Sequence, residues 1–161
     1  MTVELEPQGV QVGQEAPDFE LMDDAGQQVK LSDFRGKKNV LLAFYPAAFS
    51  IGCHTEFCNV RDGRGELVGD DNVEVLGISV DSVWSIKAWK EANGFKNRFL
   101  ADFWPHGGVA ALFGAFAEKY GVAKRYTYLI DKQGVVRHVE TDREVNVNGI
   151  EAWRKAIDEL G

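Results

Sequence analysis

Two cysteines stand five positions apart in the stretch Phe44-Tyr45-Pro46-Ala47-Ala48-Phe49-Ser50-Ile51-Gly52-Cys53-His54-Thr55-Glu56-Phe57-Cys58. An apolar run from Asn39 to Tyr45 leads into Pro46, a short loop follows, and a helix is predicted to begin near Cys53. That order puts the Cys53 thiol in the first turn, where unpaired N–H groups and the helix dipole stabilise an anion. A helix N-terminus is one of the few environments that favour a thiolate at neutral pH. Ser50, three residues earlier, offers a hydroxyl toward the same pocket, and Pro46 fixes the backbone entering the loop while contributing no N–H. The residues alone leave Cys53 with two readings, a nucleophilic thiolate or an inert packed cysteine, the usual fate of a free thiol.

The elements that must position this stretch are legible as patterns. Asn39 to Tyr45 is apolar on both faces, as expected of a central strand covered by helices on both sides. Val73 to Val80 is a second such run. Ser82 reads as an N-cap, with Val83, Ile86 and Trp89 at helical spacing up to Asn93-Gly94. Ile150, Trp153, Ile157 and Leu160 form a further helical stripe. Phe19 to Leu21 and Val29 to Leu31 flank Asp23-Asp24-Ala25-Gly26 as a peripheral hairpin. Tyr126 to Ile130 and Val135 to Val139 flank Asp131-Lys132-Gln133-Gly134 as a second, antiparallel hairpin. Between Ala101 and Ala117 the chain reads as a shaped loop around Trp104-Pro105 with a short helix at Val109 to Phe113. Parallel βαβ units closed by a hairpin and a helix suggest an α/β sandwich of thioredoxin type. No linker or repeat interrupts it, so 1–161 is read as one domain.

Composition narrows the functional classes. The 161 residues are 45% hydrophobic and 27% charged, enough apolar material for one core without disulfides or metal. Eighteen basic against 25 acidic residues give a formal charge of −7 with no Lys/Arg block, which argues against nucleic acid or an anionic membrane as partner. The first ten residues, MTVELEPQGV, do not read as a signal peptide, and no apolar run is long enough to span a bilayer. The expected compartment is the cytoplasm, where structural disulfides are disfavoured.

Pro46-x-x-x-Ser50-x-x-Cys53 resembles the peroxidatic signature of the peroxiredoxins, Pro-x-x-x-Thr/Ser-x-x-Cys. Three further segments resemble that family in the same order: Gly13-x-x-Ala16-Pro17-Asp18-Phe19, Leu31-Ser32-Asp33-Phe34-Arg35-Gly36, and Arg125-x-Thr127-x-Leu129-Ile130-Asp131-x-x-Gly134. The resemblance covers nearly the whole chain. It implies a thioredoxin-like fold, a central mixed sheet flanked by helices with the family's N-terminal hairpin. It also implies a thiol-dependent peroxidase in which Cys53 attacks a peroxide and becomes a sulfenic acid, with no cofactor and no metal. Arg125 is implied as the active-site arginine and Glu56 as the residue that orients it. The implied partners are a peroxide and a thiol reductant such as thioredoxin.

Cys58 divides the resemblance. In an intact helix residues five apart have Cα atoms roughly 8–9 Å apart, beyond the limit of about 7 Å for a disulfide, so the pair closes only if the first turns unwind. The Q-type peroxiredoxins (bacterioferritin comigratory proteins) use this Cys-x4-Cys spacing for peroxidatic and resolving thiols. By contrast, Asn39 to Phe44 and Ala101-Asp102-Phe103-Trp104-Pro105-His106-Gly107 resemble the E-type alkyl hydroperoxide reductases, in which an external thiol resolves. The expectation is an intramolecular Cys53–Cys58 disulfide; the alternative is a one-cysteine peroxidase with Cys58 packed on the apolar face beside Phe57. A thioredoxin-like disulfide reductase is more remote, because no Cys-x-x-Cys is present. A metal module from Cys53, His54, Cys58 and His106 lacks zinc-ligand spacing. His106 and His138 read as a loop residue and a solvent-facing strand residue. A scaffold or chaperone would need exposed apolar surface, whereas the aromatic residues follow core-like patterns. Phe103 and Trp104 are candidates for the pocket mouth or a subunit contact, in a monomer or a homodimer.

Overall fold

A computed structural model describes residues 9–67, 69–143 and 147–160 of the chain. The apolar run after Lys38 forms strand β3 (Asn39–Phe44), which pairs in parallel with β4 (Val73–Ser79). Alternate β3 residues enter two different cores: Val40, Leu42 and Phe44 face one side, and Leu41 and Ala43, followed by Tyr45, face the other. Burial on both faces explains why this strand reads as continuous apolar sequence. The seven-stranded sheet runs β2-β1-β5-β4-β3-β8-β9, with β1 (Glu20–Asp23), β2 (Gln28–Lys30), β5 (Arg98–Ala101), β8 (Thr127–Ile130) and β9 (Val136–Glu140). β3, β4 and β5 are mutually parallel, while β1, β2, β8 and β9 join by antiparallel pairing, so the sheet is mixed.

Helices cover both faces. α1 (Ile51–Arg61), α2 (Val83–Asn93) and α4 (Val147–Asp158) pack on the side of Leu41 and Ala43, contributing Phe57, Trp89 and Trp153 among others. The short α3 (Gly108–Phe113) packs on the opposite side with Phe113 against Phe44 and Tyr128. α2 begins and ends where expected: the Ser82 hydroxyl accepts from Ser85 N, and Gly94 at φ +64° closes the helix.

The N-terminal hairpin is built by Asp23, whose carboxylate accepts from the amides of Ala25 and Gln27, each at 2.9 Å. Asp24 then hooks the hairpin to the sheet, accepting from Phe99 N at 2.9 Å and from Lys90 Nζ at 3.0 Å. The stretch read as loop-rich contains more structure than expected. β5 ends at the first residue of this stretch, Ala101, and the stretch closes on β6 (Phe116–Ala117), which pairs with β7 (Val122–Ala123) just beyond it as a two-stranded ribbon. Runs of two to four residues carry too few periods for a pattern to register. The Asp102 carboxylate shapes the Trp104 loop by accepting from Val109 N and Ala110 N at 3.0 and 2.8 Å.

Gly77 in β4 marks the tightest place in the helical-side core. A Cβ there would lie 2.6 Å from Phe99 Cδ1 and 3.1 Å from Phe57 Cζ, and both rings are fully buried with centroids 4.9 Å apart. Relief of glycine's strand entropy is worth about 0.5–1 kcal/mol, whereas overpacking costs about 1–3 kcal/mol, so the clash wins. Gly77→Ala is expected to lower unfolding stability by about 1–2 kcal/mol, read from the shift of the urea midpoint; a stabilised variant would contradict this packing.

Candidate active site

The carboxyl ends of β3, β4 and β5 share one edge of the sheet, the edge where ligands collect in open α/β structures. The loop after β3 carries Pro46 to Ser50 and is held from the neighbouring strand. Asp81, just past β4, accepts from Ala48 N at 2.8 Å and from the Ser79 hydroxyl at 2.7 Å. Half-buried Pro46 opens the loop without a donor, and Phe49 adopts φ +67° immediately before the helix. Ser50 is the N-cap of α1, so Cys53 occupies the third helical position, in the first turn as expected. Its side chain does not cap the helix; the hydroxyl instead donates to Ala47 O at 2.9 Å.

Cys53 is fully buried, in the cluster that contains Tyr45, Phe57 and Trp89. The Tyr45 hydroxyl lies near Ser79, Asp81 and Cys53. Burial, opposed by the Ser79 hydroxyl but reinforced by the charges of Asp81 and Cys53, holds it well above the ordinary phenol range, so it stays protonated. Arg125, just before β8, lays its guanidinium over Gly52: a Cβ at residue 52 would come within 2.6 Å of Nη2. Its Nη1 is buried with no hydrogen-bond partner among the described residues. The structure thus brings Pro46, Ser50, Cys53 and Arg125 together around the first turn of α1.

Glu56 takes a different place from the one expected. It pairs with Arg143, not Arg125, through a two-pronged contact in which Arg143 Nη2 meets Oε1 at 2.6 Å and Nε meets Oε2 at 2.7 Å. Both side chains are fully buried. The remaining Arg143 nitrogen donates to the carbonyls of Phe44 and Tyr126, and the Arg143 amide donates to Arg125 O at 3.0 Å. The guanidinium also sits 5.6 Å from the Trp153 ring centre. Sequence reasoning missed Arg143; the available signal was Glu56 itself, one turn after Cys53 on the buried stripe of α1 and so in need of a cation.

Cys58 is half-buried, packed at the margin of the cluster that contains Phe57, with its sulfur 3.5 Å from His54 Nε2. His106 is a loop residue held at 2.6 Å from Gly121 O, while His138 is half-buried, not solvent-facing, with Nε2 enclosed and without a hydrogen-bond partner among the described residues. The reading of the aromatic residues as core fails at Trp84 and Tyr120; these two, Phe49 and the pocket-mouth candidates Phe103 and Trp104 are all more than half exposed. Four of these, with Ile51, lie at the active edge of the sheet. No sequence signal separates Trp84 or Tyr120 from core aromatics, whereas the Trp104-Pro105 loop sets Phe103 and Trp104 apart. No group of three or more potential metal ligands occurs among the described residues.

Residues 12–139 match the family model described as AhpC/TSA. This chain belongs to the AhpC/TSA family. It is 40% identical over 149 residues to alkyl hydroperoxide reductase E of Mycobacterium tuberculosis, covering 92% of this chain and 97% of that protein. It is 36% identical over 144 residues to peroxiredoxin Bcp of Bacillus subtilis, covering 86% and 88%. The crystal structure of peroxidoxin BcpB from Mycobacterium tuberculosis superposes with a TM-score of 0.78 at 32% identity, covering 91% of this chain and 97% of that one. This AhpC/TSA protein is therefore a peroxiredoxin, a thiol peroxidase on a thioredoxin-like fold.

The buried Glu56–Arg143 pair gives the site a measurable dependence. Removing one partner strands a buried charge, at about 3–5 kcal/mol, whereas a surface pair such as Arg137–Asp131, whose arginine is more than half exposed, is worth about 0–1 kcal/mol. Arg143→Ala is expected to lose most of that larger amount in urea unfolding and Arg137→Ala almost none; equal, small losses would refute the clamp.

Proposed function

We propose that Cys53 is the peroxidatic thiol and Cys58 the resolving thiol of a peroxidase acting on hydrogen peroxide and organic hydroperoxides. The observation that carries this reading is Cys53 in the first turn of α1, with Ser50 at its N-cap and Arg125 over Gly52. Attack of the Cys53 thiolate on the nearer peroxide oxygen forms an S–O bond and breaks the O–O bond. The product is a sulfenic acid, and the departing hydroxide or alkoxide takes up the proton that the Cys53 thiol gave up, leaving as water or an alcohol. Negative charge grows on the departing oxygen, where first-turn amides, the Ser50 hydroxyl and Arg125 supply fixed donors. Ser50 releases Ala47 O to take that part. Pro46 keeps the entering backbone free of a competing N–H, and Glu56 acts at one remove, anchoring α1 through Arg143.

In the second step, after the first turns of α1 unwind, the Cys58 thiolate attacks the Cys53 sulfur, forming the disulfide and expelling hydroxide, which takes up the proton that Cys58 gave up and leaves as water. Thioredoxin or another thiol then returns both cysteines to the reduced form. The apolar edge of Phe49, Ile51, Trp84, Phe103 and Trp104 supports acceptance of organic chains, and equally a pairing of two copies, so the protein acts as a monomer or homodimer. We place it in the cytoplasm as a single thioredoxin-like domain over 1–161; no described helix is long and apolar enough to cross a membrane.

One observation favours a second reading, in which an external thiol resolves Cys53. α1 is continuous from Ile51 to Arg61 and clamped at Glu56, between the two cysteines, which keeps them on different faces. Mass spectrometry after one equivalent of hydrogen peroxide and an alkylating quench separates the two. A Cys53–Cys58 linked peptide is expected in the wild-type protein, and Cys58→Ser is expected to accumulate sulfenic and sulfinic acid at Cys53. Stable Cys53 sulfenic acid with alkylatable Cys58 in the wild type would establish the one-cysteine cycle. No modification at Cys53 would overturn its assignment.

Loss of one charge-stabilising donor costs about 2.7–4 kcal/mol in such transition states. Arg125→Ala is therefore expected to slow the second-order peroxide reaction by roughly two to three orders of magnitude in stopped-flow measurements. An unchanged rate in the folded variant would remove Arg125 from the mechanism.

A further inference from the structure

The proposed reaction gives His54 no part, although His54 follows Cys53 directly. Its ring lies exposed on the outer face of α1, with Nε2 3.5 Å from Cys58 Sγ. The four-residue spacing puts the two side chains on one helical stripe. From outside the helix, the buried Phe95 ring meets the imidazole edge-on, with centroids 6.1 Å apart. Arg61 continues the stripe three residues beyond Cys58, within electrostatic reach of the sulfur, and is fixed by Asn93 O at 2.7 Å and by Asp62 at 2.9 Å. The end of α2 and the loop after it bring the Asn93 carbonyl and Phe95 to this face. The charged residues of that segment, Glu91 and Lys96, are solvent-exposed. The charged or titratable groups recorded around the Cys58 sulfur are thus His54 and Arg61, and the nearby acid, Asp62, is bound to Arg61.

We propose that His54 is the general base for Cys58. This rests on the reading of Cys58 as the resolving thiol. With its proton on Nδ1, the neutral ring accepts the Cys58 proton at Nε2 while α1 is still helical and the two side chains are in contact. Arg61 supports the thiolate so formed. When the first turns unwind, the sulfur electron pair makes the S–S bond to Cys53, and the S–O bond of the sulfenic acid breaks. The departing hydroxide takes the imidazolium proton, leaving water. One sulfenic acid and one thiol become one disulfide and one water, with no further reactant.

The test follows Cys53–Cys58 disulfide formation after one equivalent of hydrogen peroxide, in wild type and His54→Gln, at about pH 7 and about pH 9.5, above the usual thiol range. At pH 7 the variant is expected to close the disulfide about tenfold more slowly, below the usual range for general bases because buffer partly replaces an exposed one. At pH 9.5 the two proteins should converge, since hydroxide then deprotonates Cys58 unaided. Iodoacetamide labelling of Cys58 in the reduced, folded proteins should show the same pH-dependent gap. Equal rates at pH 7, or the same slowing at both pH values, would overturn the role of His54 while leaving the two-cysteine cycle intact. Absence of any Cys53–Cys58 link in the wild type would overturn that cycle and this inference with it.

Discussion

The buried Glu56–Arg143 pair is the interaction on which the active edge depends. One guanidinium satisfies a carboxylate on α1, the last carbonyl of β3 and a carbonyl at the entry to β8, and the same residue's amide holds Arg125 O. Four segments distant in sequence are thereby indexed to one another beside the first turns of the helix that carries Cys53. Such pairs are weak evidence for net stability, since desolvating two charges offsets most of their attraction. Their value here is geometric: the two-pronged contact fixes the rotation of α1 about its axis, and with it the direction in which Cys53 faces.

The rest of the site is arranged around that fixed helix by inexpensive local means. Asp81 draws the loop after β3 toward β4 with a single carboxylate, and Phe49 takes up the left-handed conformation that lets Ser50 start the helix. Gly52 is the residue over which Arg125 can lie flat; any side chain there would push the guanidinium away. Behind them the cluster of Tyr45, Phe57, Trp89, Phe95 and Phe99, with ring centroids about 5–6 Å apart, forms a stiff wall against which α1 cannot drift.

What the sequence makes legible follows from how local each feature is. β3 declares itself by apolar residues on both faces, and α2 by Ser82 and Gly94 at its ends. Pro46, Ser50 and Cys53 lie within one loop and turn, so their juxtaposition is readable. The Glu56–Arg143 contact spans 87 residues, and Asp142-Arg143-Glu144 looks like an ordinary charged surface run. Nothing local distinguishes an arginine that will be buried from one that will not. The same blindness affects the apolar edge, since Trp84 and Trp89 look alike in a helical pattern although one is exposed and the other enclosed. Cys58 shows the limit in the opposite sense: its spacing was readable, but the contact with His54 required the helix to be seen.

Glu56 sits between the two cysteines on a continuous helix, so the proposed disulfide would couple redox state to conformation. In the proposed cycle the helix cannot bring Cys53 and Cys58 together without disturbing the turns that carry its buried carboxylate. Whatever conformational free energy is given up on oxidation is recovered when the disulfide is cut. Recoil of the helix then works on the side of the reductant, making the bridge a stronger oxidant than an unstrained one. The clamp that orients the thiol for peroxide would in this way also help to reset it, acting as a spring wound by one substrate and released by the other.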